Sequence, residues 1–244
     1  GDLNTFNDDG SIKEEFKVPS NLYCAVYQEE LCGYMAGYAA VKLGYKQLGF
    51  LGGMAVPAVV RYGYGFVQGA NAAAVELDIA DQVSVKYVYG NKFQADPAIT
   101  AAMDTWYANG TEIVFACGGG IYASAAEAAA KVDGAKMIGV DVDQAGIIDG
   151  KYGEGMTVTS AMKGLAPTVK TVLAAISADK WADFGGKIET LGLVSENPEE
   201  NYVQLAGSTQ FGDGFTEDDY KELVAAMFKG DIKVDNSTEK MPET

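Results

Sequence analysis

The sequence predicts an α/β fold in which a parallel β-sheet is covered by helices. Short apolar runs suited to strands alternate with longer segments of helical periodicity, and the connections between them are short. With 244 residues, 48% of them hydrophobic and 21% charged, the chain can form one large α/β domain or two lobes with separate cores.

The first residues, up to Pro19, are polar and carry Asp8-Asp9-Gly10, a turn signal. Leu22–Tyr27 is a short apolar run of the kind a buried parallel strand needs. A helix over Glu29–Leu43 follows, with Leu31, Tyr34, Met35, Tyr38 and Val41 on one stripe. Its small residues Gly33, Ala36, Gly37 and Ala40 are expected to let it pack closely on a sheet. Leu48–Leu51 reads as a strand ending in Gly52-Gly53, and Pro57 opens a helix that runs to Leu77. Val83–Tyr89 is a strand. Asp96-Pro97 supplies a cap and first-turn proline for a helix to Ala108. Ile113–Cys117, Ala123–Val132 and Met137–Val140 continue the alternation as strand, helix and strand. Thr157–Ser160 precedes a long amphipathic helix at Leu165–Ala178. Ile188–Val194 and Tyr202–Leu205 read as a β-hairpin around Asn197-Pro198. Thr216 caps a final helix to Phe228, its first turn acidic with Glu217, Asp218 and Asp219. Lys233–Thr244 reads as an exposed tail.

Charge and composition narrow the function classes. A net charge of −16 and a pI near 4.3 repel phosphate backbones and argue against a nucleic-acid partner. Histidine is absent, which removes Ser-His and Cys-His nucleophile pairs and His-ligated metal sites. No cofactor or metal is expected. Cys24, Cys32 and Cys117 lack C-x-x-C spacing and read as buried free thiols, with a Cys24–Cys32 bridge left open. No apolar run approaches the roughly 20 residues of a membrane span. The chain starts at Gly1 without a signal peptide and reads as processed or engineered.

In open α/β sheets ligands bind beyond the carboxyl ends of the strands, so residues just after each strand are the candidates. Gly52-Gly53-Met54 allows close backbone approach to a ligand, or a hinge. Phe93 is either free to stack on a flat ligand or folded back on the core. Gly118-Gly119-Gly120 lacks the order of a dinucleotide fingerprint and the Lys-Ser/Thr of a P-loop, yet it opens a helix whose N–H groups can receive hydroxyls or anions. Asp141 and Asp143 share a side if their strand continues, with Gln144 opposite. Each is either a ligand carboxylate, well suited to vicinal hydroxyls, or a cap. Lys163 is either a solvated charge or a partner at the same sheet edge as Asp141. Tyr62, Trp106 and Tyr107 read as packing residues.

Four segments resemble the basic membrane protein (Med, PnrA-like) family of substrate-binding lipoproteins. These are Tyr-Gln-Glu-Glu-Leu-Cys-Gly-Tyr-Met-Ala-Gly at 27–37, Gly-Phe-Leu-Gly-Gly-Met at 49–54, Gly-Phe-Val-Gln-Gly-Ala at 65–70 and Gly-Val-Asp-Val-Asp-Gln at 139–144. The resemblance runs from Asn21 to Val234. It implies a type I periplasmic-binding-protein fold, two Rossmann-like lobes closing on a ligand. It also implies capture of a purine nucleoside for an ABC permease by a protein anchored outside the cell membrane through an N-terminal lipid that this chain does not carry. Under it, Phe93 stacks on the base, Gly118, Gly119 or Gly120 gives a backbone contact, and Asp141 and Lys163 bind the ribose hydroxyls. Family members carry roughly 100 residues, a small domain's worth, before the segment that begins here. On that basis residues 1–55 are the remainder of lobe one, 56–162 are lobe two, and 163–244 are shared. A signalling or regulatory lipoprotein of the same fold is the alternative. Nucleoside hydrolysis by Asp141 and Asp143 ranks below both, so the expectation is a binding protein and not an enzyme.

Overall fold

The computed structural model describes residues 18–241, so the turn expected at Asp8-Asp9-Gly10 and the last three tail residues lie outside the described residues. Strands and helices alternate from the start: β1 (Tyr23–Tyr27), α1 (Glu29–Lys42), β2 (Gln47–Gly52), α2 (Pro57–Glu76) and β3 (Ser84–Tyr89). The alternation continues with α3 (Pro97–Ala108), β4 (Ile113–Cys117), α4 (Tyr122–Ala129), β5 (Lys136–Asp141), α5 (Ala145–Tyr152) and β6 (Thr157–Lys163). The chain then forms α6 (Leu165–Ser177), β7 (Lys187–Leu191), β8 (Val203–Leu205) and α7 (Glu217–Lys229). The α/β class is therefore as the periodicity predicts, and α5 is an element that the sequence reading did not include.

Six strands form one sheet in the order β3-β2-β4-β5-β6-β8. Neighbours from β3 to β6 pair in parallel, and β8 joins β6 antiparallel. Parallel pairing puts the carboxyl ends of the strands, Gly52, Tyr89, Cys117, Asp141 and Lys163, along one edge.

Both faces of this sheet are covered, as alternating side chains require. On one face Phe50 and Phe115 meet edge to face, with ring centroids 5.4 Å apart, and Phe66 and Tyr62 of α2 close over Phe115. On the other, Leu51, Val114, Ala116 and Met137 pack with Met103 and Tyr107 of α3, Ala125 of α4 and Ile148 of α5.

The small residues of α1 meet a helix more closely than they meet a sheet. A Cβ on Gly33 would lie 2.1 Å from the Tyr62 carbonyl oxygen, and one on Gly37 would lie 2.0 Å from that of Phe66. The contact is reciprocal: Cβ atoms on Gly65 and Gly69 would fall 2.0 Å from the carbonyl oxygens of Glu30 and Tyr34. A Gly-x-x-x-Gly step on each helix thus brings the two backbones together and fixes the first turn of α1 against α2.

The expected hairpin does not form. β7 pairs with β1 in a separate two-stranded sheet, whereas β8 pairs with β6. Asn201 explains the parting of the two runs. Its Oδ1 accepts hydrogen bonds from the N–H groups of Val194 (2.6 Å) and Ser195 (2.9 Å), and its Nδ2 donates to the carbonyls of Ser195 and Asn197 (both 3.0 Å). The Asn197-Pro198 segment is folded by these bonds into a 3₁₀ turn at Pro198–Glu200 in place of a two-strand ladder.

By contact the chain divides into two units. The smaller holds Gly1–Val26, described from residue 18, and Ala166–Leu191. Within it Gly186 N–H bonds the Leu22 carbonyl (2.8 Å), and the Tyr23 hydroxyl donates to Glu189 (2.8 Å). The larger holds Tyr27–Leu165 and Gly192–Thr244. α1 and β2, numbered within 1–55 above, lie in this larger unit because α1 is seated on α2. Along α6 the apolar residues Leu165, Val169, Leu173 and Ile176 are exposed, while Thr168 and Ala175 are buried.

Cys24, Cys32 and Cys117 are all free, the last two buried. Among the described residues no helix is long and apolar enough to cross a membrane, and no cluster of three or more acidic or cysteine side chains is placed to hold a metal ion.

Candidate functional site

The carboxyl edge of the large sheet carries two groups of candidate residues. The first surrounds Phe93. Its ring edge lies against glycine backbone: a Cβ on Gly53 would come within 2.5 Å of Phe93 Cδ1, and one on Gly118 within 3.0 Å. The glycines after β2 therefore make room for Phe93. Phe93 remains 42% exposed, so it is not folded into the core. Gly118 and Gly119 adopt φ of 152° and 54°, which only glycine takes readily at two consecutive positions. Gly120 N–H donates to the Phe93 carbonyl at 2.8 Å. The glycine turn and Phe93 are thus one folded unit.

The second group surrounds Lys163 at the end of β6. Its ammonium lies 3.2 Å from Asp141 Oδ1 and 3.3 Å from Glu29 Oε1, with its side chain 15% exposed. The rings of Tyr62 and Tyr27 sit below it, 5.3 and 5.8 Å from Nζ to centroid. Burial pulls the Lys163 pKa down, but the Asp141 and Glu29 carboxylates outweigh it and hold the pKa above the ordinary lysine value. Lys163 is a charged ammonium, not a mobile surface lysine.

Asp141 ends β5 in a left-handed conformation, φ 67°, with Val142 N–H bonded to the Val140 carbonyl across it at 2.8 Å. Such a three-residue turn is rare and strained. It holds the Asp141 side chain at the sheet edge, 39% exposed. The strand stops at Asp141, so the condition under which Asp143 would share its side, a continuing strand, is not met. Asp143 Oδ1 instead accepts hydrogen bonds from Ser208 Oγ (2.7 Å) and Ala145 N–H (3.1 Å), so it is engaged in the loop before α5. Gln144 is buried, and its Oε1 accepts from Val140 N–H at 2.8 Å. A pair of catalytic carboxylates at 141 and 143 therefore has no geometric support.

The two groups are linked through β4. Cys117, directly before the glycine turn, lies near enough to Asp141, Lys163 and Glu29 to feel their charges, although burial dominates the rise in its pKa. The edge offers a carboxylate, an ammonium and an aromatic ring, a set suited to a neutral ligand with hydroxyls and a flat apolar part.

The sequence reading missed the support behind Lys163. Glu29 is 2% exposed, and its Oε2 receives Arg61 Nη2 at 2.7 Å and Nε at 2.8 Å. Burial raises the pKa of neighbouring Glu30, whose Oε2 is buried without a hydrogen-bond partner. Tyr62 is a packing residue, as read, and it also lies beneath the ammonium. One signal was available: Arg61 is the only arginine among 18 basic residues.

Residues 7–210 match the profile of a family described as ABC transporter substrate-binding protein, PnrA-like. Among curated proteins the chain is similar to an ABC transporter nucleoside-binding protein, BmpA, of Lactococcus lactis subsp. cremoris. That match is 29% identical over 196 residues and covers 76% of this chain and 53% of the relative. Basic membrane protein B of Borreliella burgdorferi is 25% identical over 182 residues, covering 74% and 50%. The chain thus spans about half the length of these relatives. Among solved structures, an ABC transporter solute-binding protein from Conexibacter woesei superposes with a TM-score of 0.64. It is 21% identical, with 90% of this chain and 67% of that one covered, which supports the periplasmic-binding-protein type of fold.

Proposed function

The chain belongs to the PnrA-like family of ABC transporter substrate-binding proteins, and on that footing we propose that it binds a purine nucleoside for import. The observation that carries the reading is the half-exposed Asp141 carboxylate, held beside the Lys163 ammonium on the sheet edge that also bears Phe93. A carboxylate accepts from two vicinal hydroxyls at once, an ammonium donates to a sugar oxygen, and an aromatic ring stacks on a base. The glycine turn at Gly118, Gly119 and Gly120 lies against Phe93, where a base would stack. The name of the lactococcal relative supports the choice of ligand.

In this reading the protein is a carrier without catalysis. It works outside the cytoplasm, attached to the cell membrane by an N-terminal lipid, and delivers its ligand to an ABC permease. Calorimetric titration with adenosine, guanosine and inosine tests the ligand. Saturable heat is expected, weakened about 10- to 100-fold in Asp141→Asn, the range for a hydrogen bond to a charged group. Absence of heat with all three nucleosides on the folded chain overturns it.

A further inference from the structure

We propose that Glu29 is a positioning residue of this site, which shares the Lys163 ammonium with Asp141 and so leaves the Asp141 carboxylate open to a ligand's hydroxyls. The inference takes its ligand from the nucleoside reading, but its geometry stands without it.

The ammonium lies almost midway between its two carboxylates, at 3.3 Å from Glu29 and 3.2 Å from Asp141. The two are not equivalent. Glu29 is buried and cannot touch a ligand, whereas Asp141 is half-exposed. Asp141 Oδ1 is a buried atom that faces the ammonium at 3.2 Å, so the exposed part of this carboxylate is what remains for a ligand. A lone carboxylate beside a poorly solvated ammonium would draw it closer, to the about 2.7–2.9 Å of a strong charge-assisted hydrogen bond. Glu29 opposes that from the other side.

Glu29 itself is fixed from two directions. It stands in the first turn of α1, where the helix dipole favours a carboxylate. Its second oxygen is held by Arg61 of α2. The interlocked glycines of the two helices set the distance between these residues, so the pair is built into the packing. The groups that face Lys163 are therefore Glu29 and Cys32 from α1, Asp141 from β5, Tyr62 from α2, Tyr27 from β1 and Cys117 from β4, with Arg61 and Glu30 behind Glu29.

The test follows the Lys163 Cε resonance with pH in the full chain carrying ¹³C-labelled lysine, and measures nucleoside affinity by calorimetry on the same samples. In Glu29→Gln the Lys163 midpoint falls and nucleoside binding weakens about tenfold, as when one charge-assisted contact is lost. The affinity also begins to fail at a lower pH than in the wild type, a change that a purely structural role would not produce. A folded Glu29→Gln with the wild-type midpoint and affinity overturns the proposal. If Glu29→Gln does not fold, Asp141→Asn reads the same pair from the other side. Lys163 then keeps a midpoint at or above that of free lysine if Glu29 holds it, and a midpoint below that value overturns the proposal. No nucleoside heat from the wild type overturns the ligand reading, and the lysine titration still judges Glu29.

Discussion

Asp141 is the residue on which the site turns, and its backbone shows why the position is restrictive. A non-glycine residue at φ 67° stores about 1–3 kcal/mol of strain, and asparagine tolerates this region far better than alanine does. Asp141→Ala is therefore expected to unfold at lower urea than Asp141→Asn, by about 1 kcal/mol, although both lose the ion pair with Lys163; equal melts would remove the strain argument. Glu30 makes a separate prediction. Burial raises its pKa in the folded state, so its carboxyl is neutral in both states below the unfolded pKa and is a poorly solvated anion in the folded state only above the raised folded one. The destabilisation it causes sets in as pH rises through its unfolded value and is complete above its raised folded value. Glu30→Gln should consequently gain thermal stability over the wild type as pH increases, and a gap that shrinks with pH would contradict this. At this scale Phe93, Asp141 and Lys163 could be read as candidates because strand ends are visible in the periodicity. Glu29 could not, since a glutamate in a first helical turn ordinarily faces water and only the packing of α1 on α2 buries it; the singularity of Arg61 in the sequence is the one hint of that pair.

The elements show the same division between local and distant causes. Apart from α5, strands and helices up to β6 fall near their expected positions because each is specified by its own apolar pattern and turn residues. The hairpin was misread because a strand's partner is not written next to it: β8 finds β6, some 40 residues away in the chain, and Asn201 folds the intervening loop. Helix α5 escaped because it is eight residues long and carries Gly146 and Gly150, which weaken its helical signal. Those glycines offer a paired test with the ones in α1. A methyl group on Gly37 meets backbone at 2.0 Å, so Gly37→Ala should destabilise by about 1–3 kcal/mol through overpacking, less the about 1 kcal/mol that alanine gains in a helix. Nothing lies within 4 Å of a methyl on Gly150, and Gly150→Ala should be neutral or stabilising by up to about 1 kcal/mol. Chemical denaturation of both variants checks the contrast, and similar effects would mean that the α1–α2 contact is not set by its glycines.

For the whole molecule, a net charge of −16 surrounds a site whose exposed charge is the Asp141 carboxylate, with Lys163 and Arg61 both held against the buried Glu29 behind it. An added phosphate on the ligand meets that field, so a nucleoside 5′-monophosphate should bind at least about tenfold more weakly than its nucleoside at low ionic strength, with the difference narrowing as salt is added. The α/β class and the edge that carries the candidates were legible in the alternation, and the choice of nucleoside came from family resemblance alone. Where the ligand sits is thus the central claim. Amide chemical shifts of the full chain, followed during titration with adenosine, test it directly. Saturable changes at Phe93, Gly118 to Gly120, Asp141 and Lys163 are predicted. No saturable change, or changes confined to another surface such as the groove lined by Val67, Ala70, Val85 and Tyr87, would contradict it.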